Sequence, residues 1–235
     1  MKVIEIRNKL QTLANKENAK FAQKFFKTAP GQYGEGDIFL GIRVPQLRQL
    51  AKEYKNIELT EIVKLLKSSF HEERALALFI LVLIFQKANE TLQKEIYNLY
   101  LNHTNFINNW DLVDVSASHI VGKYLANKDK DILYQLAKSN SLWERRISII
   151  ATYYFIKNSN FTDTLKISEI LLKDKEDLIH KAVGWMLREV GKKNLKVEED
   201  FLAIYYKIMP RTMLRYAIEK FPENIRQQYL KNLLP

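Results

Sequence analysis

The sequence predicts an all-α protein, a right-handed superhelical solenoid of helical hairpins forming one domain over residues 1–235. Three observations lead there. Apolar residues recur at three- and four-residue intervals almost throughout, and no period-two stretch exceeds a few residues. Only five prolines and seven glycines are present, so the chain has few places to turn and long helices with short connections follow. Arg74, Arg146, Lys181 and Arg215 each open an apolar helical stretch (RALALFIL, RISIIATY, KAVGWMLR, RYAIEKF), and the last three are spaced 35 and then 34 residues apart, the period of stacked helical hairpins.

In chain order the pattern predicts helices over 3–13, 15–28, 45–55, 58–68, 71–88, 90–103, 110–125, 129–138, 142–157, 162–173, 175–193, 198–208, 211–220 and 223–233. Pro45, Pro210 and Pro222 fit first-turn positions, where a missing N–H costs nothing. The exception is APGQYGEGDIFLGIRV (29–44), which holds four of the seven glycines and reads as a structured loop. It lacks the GK[ST] ending of a phosphate-binding loop and carries Glu35 and Asp37, which oppose an anion, so an ordered connector is the simpler reading. No Ser/Gly-rich linker divides the chain.

A net charge of +10 and a pI near 9.5 favour a nucleic acid or an acidic membrane surface as partner. The absence of cysteine removes disulfides, thiolate chemistry and most structural zinc sites. The four histidines (71, 103, 119, 180) show no helical pairing with one another, so no metal and no cofactor are expected. The longest apolar run, Ala75 to Phe85, is far short of the ~20 residues that span a bilayer, and MKVIEIRNKL has charges where a signal peptide needs an apolar stretch. A soluble, cytoplasmic protein is expected. No Gly-x-Ser-x-Gly, dinucleotide-binding or kinase pattern occurs.

Asp114 stands out because it occupies the register in which Arg74, Arg146, Lys181 and Arg215 are basic, with Trp110 one helical turn before it. A row of cations suits a polyanion, and a carboxylate set into that row repels the polyanion unless it serves chemistry. Its other possible duty is to complement the helix dipole, for which Asp111 is better placed. The small residues Ser118 and Gly122 follow on the same side and leave room for a substrate backbone. Farther along, Ile179, Val183, Met186, Leu187 and Val190 form an apolar stripe, while Lys181, Trp185 and Arg188 lie opposite it. A tryptophan between two cations suits stacking on a base or sugar flanked by phosphate contacts, though a neighbouring helix can also bury it. Arg145 and Arg146 point about 100° apart, so only one faces such a groove, and Arg146 is in register.

These residues resemble the DNA alkylation repair family of HEAT-like-repeat DNA glycosylases. The resemblance runs from about residue 20 to residue 220 and rests on YGEGDIFLGIRVPQLR (33–48), NWDLVD (109–114), LWERR (142–146) and HKAVGWMLRE (180–189). It implies hydrolysis of the N-glycosidic bond of cationic alkylated purines, such as N3-methyladenine and N7-methylguanine, in double-stranded DNA without base flipping. Matched motif by motif, Trp110 and Trp185 take the places of the sugar-facing tryptophans, Asp114 that of the catalytic carboxylate, and Arg146 that of a backbone-contacting arginine. The sequence departs from the pattern at Asp177, Leu178 and Asn109, where the family has aromatics, and either Phe25 or Phe26 corresponds to an N-terminal aromatic contact. The expectation is a monomeric, monofunctional glycosylase with catalytic Asp114, Trp110 and Trp185 and DNA-binding Arg146, Lys181, Arg188, Arg74 and Arg215. The alternatives are a non-catalytic nucleic-acid-binding repeat protein and a protein-interaction scaffold.

Overall fold

A computed structural model describes residues 2–233, and among them it is helical with no strand, only an isolated bridge between Ile38 and Phe70. The helices are α1 (Val3–Leu13), α2 (Lys16–Phe25), α3 (Val44–Glu53), α4 (Leu59–Leu66), α5 (His71–Lys87), α6 (Glu90–Leu101), α7 (Trp110–Asp114), α8 (Asp131–Leu136), α9 (Leu142–Ala151), α10 (Tyr153–Lys157), α11 (Thr162–Ile170), α12 (Asp177–Lys193), α13 (Leu195–Tyr205), α14 (Arg211–Ala217) and α15 (Glu223–Leu230). No helix among the described residues is long and apolar enough to cross a membrane. The all-α prediction holds.

Where boundaries differ, side chains competing for backbone groups explain it. The stretch predicted as one helix over 110–125 stops at Asp114, because Ser116 Oγ donates 2.6 Å back to the Leu112 carbonyl and its turn leaves the helix. It resumes as a π-helical turn over Ser118–Gly122. Likewise 142–157 divides at Thr152, whose Oγ1 donates to the Ile149 carbonyl at 2.7 Å. Helix α2 ends at Phe25 rather than near 28 because Lys27 takes φ 52° and its carbonyl accepts from Gly34 N. Helix α13 starts three residues early because the Asn194 side chain caps it, accepting from Val197 N.

The chain forms two compact units, one up to Ser116 and one from Ala117. In the first, α5 packs against α3, α4, α6 and α7 and is buried along almost its whole length. A helix apolar on every side is an interior helix, and its polar head, His71-Glu72-Glu73-Arg74, is buried with it. Glu72 accepts backbone N–H groups of Leu40 (2.9 Å), Gly41 (2.7 Å) and Ile42 (3.3 Å), which fixes the glycine-rich connector on α5. Gly41 is required there: its φ of +78° is left-handed, and a side chain would strike the Asn15 carbonyl. Glu73 holds Arg7 of α1 at 2.9 Å.

In the second unit α9, α12 and α14 lie side by side, α9 against α12 and α12 against α14, with α8, α11 and α13 packed on their flanks. The 35- and 34-residue spacing is therefore a packing period that sets every such helix beside the next. At Gly184 the backbone of α14 comes close enough that a side chain would collide with the Met213 carbonyl.

Candidate functional site

In the first unit the chemistry-bearing side chains surround α7. Asn109 is fully buried, accepts Trp110 N on Oδ1 at 2.8 Å and donates Nδ2 to Asp37 Oδ2 at 3.2 Å. The residue that departs from the family's aromatic is thus the cap of this helix. Trp110 is half-buried and stacks on Phe26 (5.5 Å, 25°), while Phe25 meets it edge-on at 6.1 Å. Both N-terminal aromatics therefore touch Trp110. The row continues outward to Phe21, stacked on Phe25 at 6.1 Å, and these two rings are 71% and 54% exposed.

Asp114 is half-buried and is the last residue of α7. A carboxylate at a helix C-terminus opposes the dipole, whereas Asp111 lies in the first turn, where a negative charge is favourable. Beneath them Tyr100 is fully buried, its hydroxyl 3.0 Å from Ser116 Oγ. Burial chiefly, and the nearby Asp114 charge in addition, push the Tyr100 phenol above its ordinary range.

Behind α7 lies an ionic cluster that sequence reasoning missed. His71 Nδ1 is 3.2 Å from Asp37 Oδ2 and Nε2 is 2.8 Å from Asp111 Oδ2, while Arg74 reaches Asp37 Oδ1 at 2.6 Å and the Ser68 carbonyl at 2.9 Å. Burial works against a charged imidazole, but Asp111 and then Asp37 outweigh it and raise His71 to about 9. Burial also acts against the Asp37 carboxylate, and His71 and Arg74 reverse that, holding it below its usual range. Arg74, read from sequence as a DNA contact, is 3% exposed, and its guanidinium binds Asp37 and Ser68 inside the unit. The signal was present: a 17-residue helix with no polar face has to bury its charged first turn as well.

In the second unit Trp185 is half-buried on α12, donates Nε1 to Glu189 at 3.2 Å and lies 5.9 Å from the Tyr153 ring. Lys157 sits over the Tyr153 ring at 4.2 Å. Arg146 is 5% exposed and donates to the Leu178 carbonyl at 2.6 Å, tying α9 to α12. Its neighbour Arg145 grips Asp174 at 2.6 Å. Lys181 pairs with Asp177 at 2.7 Å, and this contact chiefly lowers the Asp177 carboxyl. Arg188 binds Glu219, and Arg215 is exposed. Gly122, read as room for a substrate backbone, instead packs against the Ala151 carbonyl, where a side chain would collide. Among the described residues no group of three or more His, Cys, Asp or Glu side chains is arranged to hold a metal ion.

The family model for DNA alkylation repair enzyme matches residues 6–221. Similar solved structures include a predicted DNA alkylation repair enzyme from Enterococcus faecalis (TM-score 0.68, 18% identity, 89% of this chain and 97% of that one). AlkD2 from Streptococcus mutans (TM-score 0.56, 18% identity) covers 88% and 99%, and smu.31 from Streptococcus mutans UA159 (0.56, 18%) covers 77% and 93%. At this identity the likeness establishes the fold. A comparison with curated proteins finds no match.

Proposed function

The chain belongs to the DNA alkylation repair enzyme family, and from that premise we propose that it is a monofunctional DNA glycosylase releasing cationic alkylated purines, of the N3-methyladenine and N7-methylguanine type, from duplex DNA without base flipping. The observation that carries this reading is Asp114: a carboxylate at the dipole-disfavoured end of α7, one turn from the half-buried Trp110.

The chemistry suits those groups. An alkylated purine already bears positive charge, so the bond from its ring nitrogen to the deoxyribose C1′ breaks without prior protonation, and the bonding pair neutralises the departing base. Positive charge then develops on the sugar. An aromatic face and a carboxylate both stabilise it. Asp114 orients a water and takes up its proton as the water oxygen bonds to C1′. Trp110 is given rigidity by Phe26 and Phe25, and Trp185 by Glu189 and Tyr153, so neither ring has to be ordered during the reaction. Lys181 and Arg215 serve phosphates as outward charges and Arg188 is already oriented by Glu219, while Arg146, buried like Arg74, is committed to the Leu178 carbonyl within its unit. The partner is double-stranded DNA, met by a monomer in the cytoplasm.

The test is incubation of purified protein with methylated duplex DNA. Release of free methylated base, leaving abasic sites and lost in Asp114→Asn, is expected. Binding of the duplex with no base release would make the chain a DNA-binding module.

A further inference from the structure

His71 is buried, yet it touches Asp111 of α7 and Phe26, the ring stacked on Trp110. A neutral imidazole carries one N–H and so can donate to only one carboxylate. Here both ring nitrogens face acceptors, Asp37 at 3.2 Å and Asp111 at 2.8 Å, which only the doubly protonated ring satisfies. The charges then balance: Asp37 and Asp111 against His71 and Arg74. Resting on the glycosylase reading, we propose that His71 is a positioning residue, an imidazolium clamp that fixes the first turn of α7 and through it the pose of Trp110 for base release.

Three connections converge on that turn. Asp111 within α7 binds His71 directly. Asp37, on the other side of the imidazole, also receives Nδ2 of Asn109, the residue that caps α7 and accepts Trp110 N. The third runs through rings: His71 stacks on Phe39 (4.6 Å) and lies 5.0 Å from Phe26, which stacks on Trp110. An imidazolium in that stack is attracted to both phenyl faces, and a neutral ring much less so. The charged groups facing His71 are Asp37 from the connector, Asp111 from α7 and Arg74 from α5 itself, while Glu72 and Glu73 turn to the connector N–H groups and to Arg7. Stability alone does not explain such a cluster, because well-packed apolar groups of similar volume serve an interior as well or better. Placing an aromatic ring to within a fraction of an ångström is what a cluster with fixed hydrogen-bond directions adds.

The clamp has a pH range. Its folded value of about 9 lies above the ordinary 6.5, so its contribution is complete below 6.5 and is lost as pH rises through about 9. A chain carrying Trp143→Phe and Trp185→Phe leaves Trp110 as the single tryptophan and fluorescent reporter. We expect its emission to shift with a midpoint near 9 while far-ultraviolet circular dichroism stays constant, and the shift to vanish in His71→Gln. In the chain with all three tryptophans, His71→Gln is expected to slow single-turnover release of N7-methylguanine about ten- to a hundredfold at neutral pH while affinity for undamaged duplex changes by no more than about twofold. A merely structural His71 would alter emission only where the circular dichroism also falls. An unchanged emission transition, or wild-type release by a folded His71→Gln, overturns the proposal. Should His71→Gln not fold, Asp111→Asn, which keeps shape and removes the charge, is expected to abolish the same transition, and its persistence there also overturns the clamp. If the wild type releases no base, the glycosylase reading fails while the emission titration still decides whether His71 sets Trp110.

Discussion

Asp114→Asn separates charge from shape at the end of α7. On the proposed glycosylase reading the carboxylate repels phosphate in the ground state and attracts a cationic sugar in the transition state, so the variant should lose about 10²–10³ in base release while duplex affinity holds or improves. Single-turnover release set beside duplex affinity checks this, with circular dichroism to confirm folding; a folded variant with near-wild-type release removes Asp114 from the chemistry. Trp185 makes the complementary case. Its ring is held by Glu189 and Tyr153, so on the proposed reading it needs no ordering during the reaction. Trp185→Ala should slow release about tenfold or more and weaken binding to undamaged duplex about threefold at most, because only interactions that strengthen in the transition state accelerate the step. Equal losses would make Trp185 a docking residue.

Among elements, the seat of α13 on α12 holds a titration that has no part in the chemistry above. Glu198 is 2% exposed, its carboxylate lies against Gly191, and burial first, with Glu199 adding to it, raises the carboxyl to about 8. Between the ordinary 4.5 and about 8 the folded chain keeps a proton that the unfolded chain releases, so stability falls as pH rises through that interval. Glu198→Gln should flatten this part of the curve of melting temperature against pH and be the more stable form above about 8. A slope identical to wild type would mean that Glu198 ionises freely. At α5 the buried first turn implies a different cost: Arg74→Ala leaves Asp37 with one cationic partner instead of two, and a loss of about 3 kcal/mol in denaturant unfolding is expected.

For the molecule as a whole, the proposed function and a net charge of +10 together predict a duplex affinity that falls steeply with salt. Lys181→Ala and Arg215→Ala should each reduce the slope of log K against log salt by about one while leaving unfolding unchanged. Arg74→Ala should do the reverse. An unchanged slope in Arg215→Ala would take that residue off the DNA. Chelator should leave base release intact, since the chain has no cysteine and its four histidines show no ligand spacing; loss in EDTA restored by a divalent ion would show that a metal takes part.

What local pattern controls was readable in the residues themselves. Apolar spacing foretold nearly every helix, and the 35- and 34-residue period foretold that α9, α12 and α14 pack side by side, because a helix can bury its stripe only against a neighbour of like pattern. The motifs NWDLVD and KAVGW singled out Asp114, Trp110 and Trp185 as candidates. Register alone could not say which cations face outward: Arg74 and Arg215 share a position in the pattern, yet one is sealed against Asp37 and the other is exposed. Nor could it join Asp37, His71 and Asp111, which lie 34 and 40 residues apart along the chain. Ion pairs at that separation exist only after helices have packed, because tertiary structure brings the partners within reach and withdraws the water that would otherwise screen them.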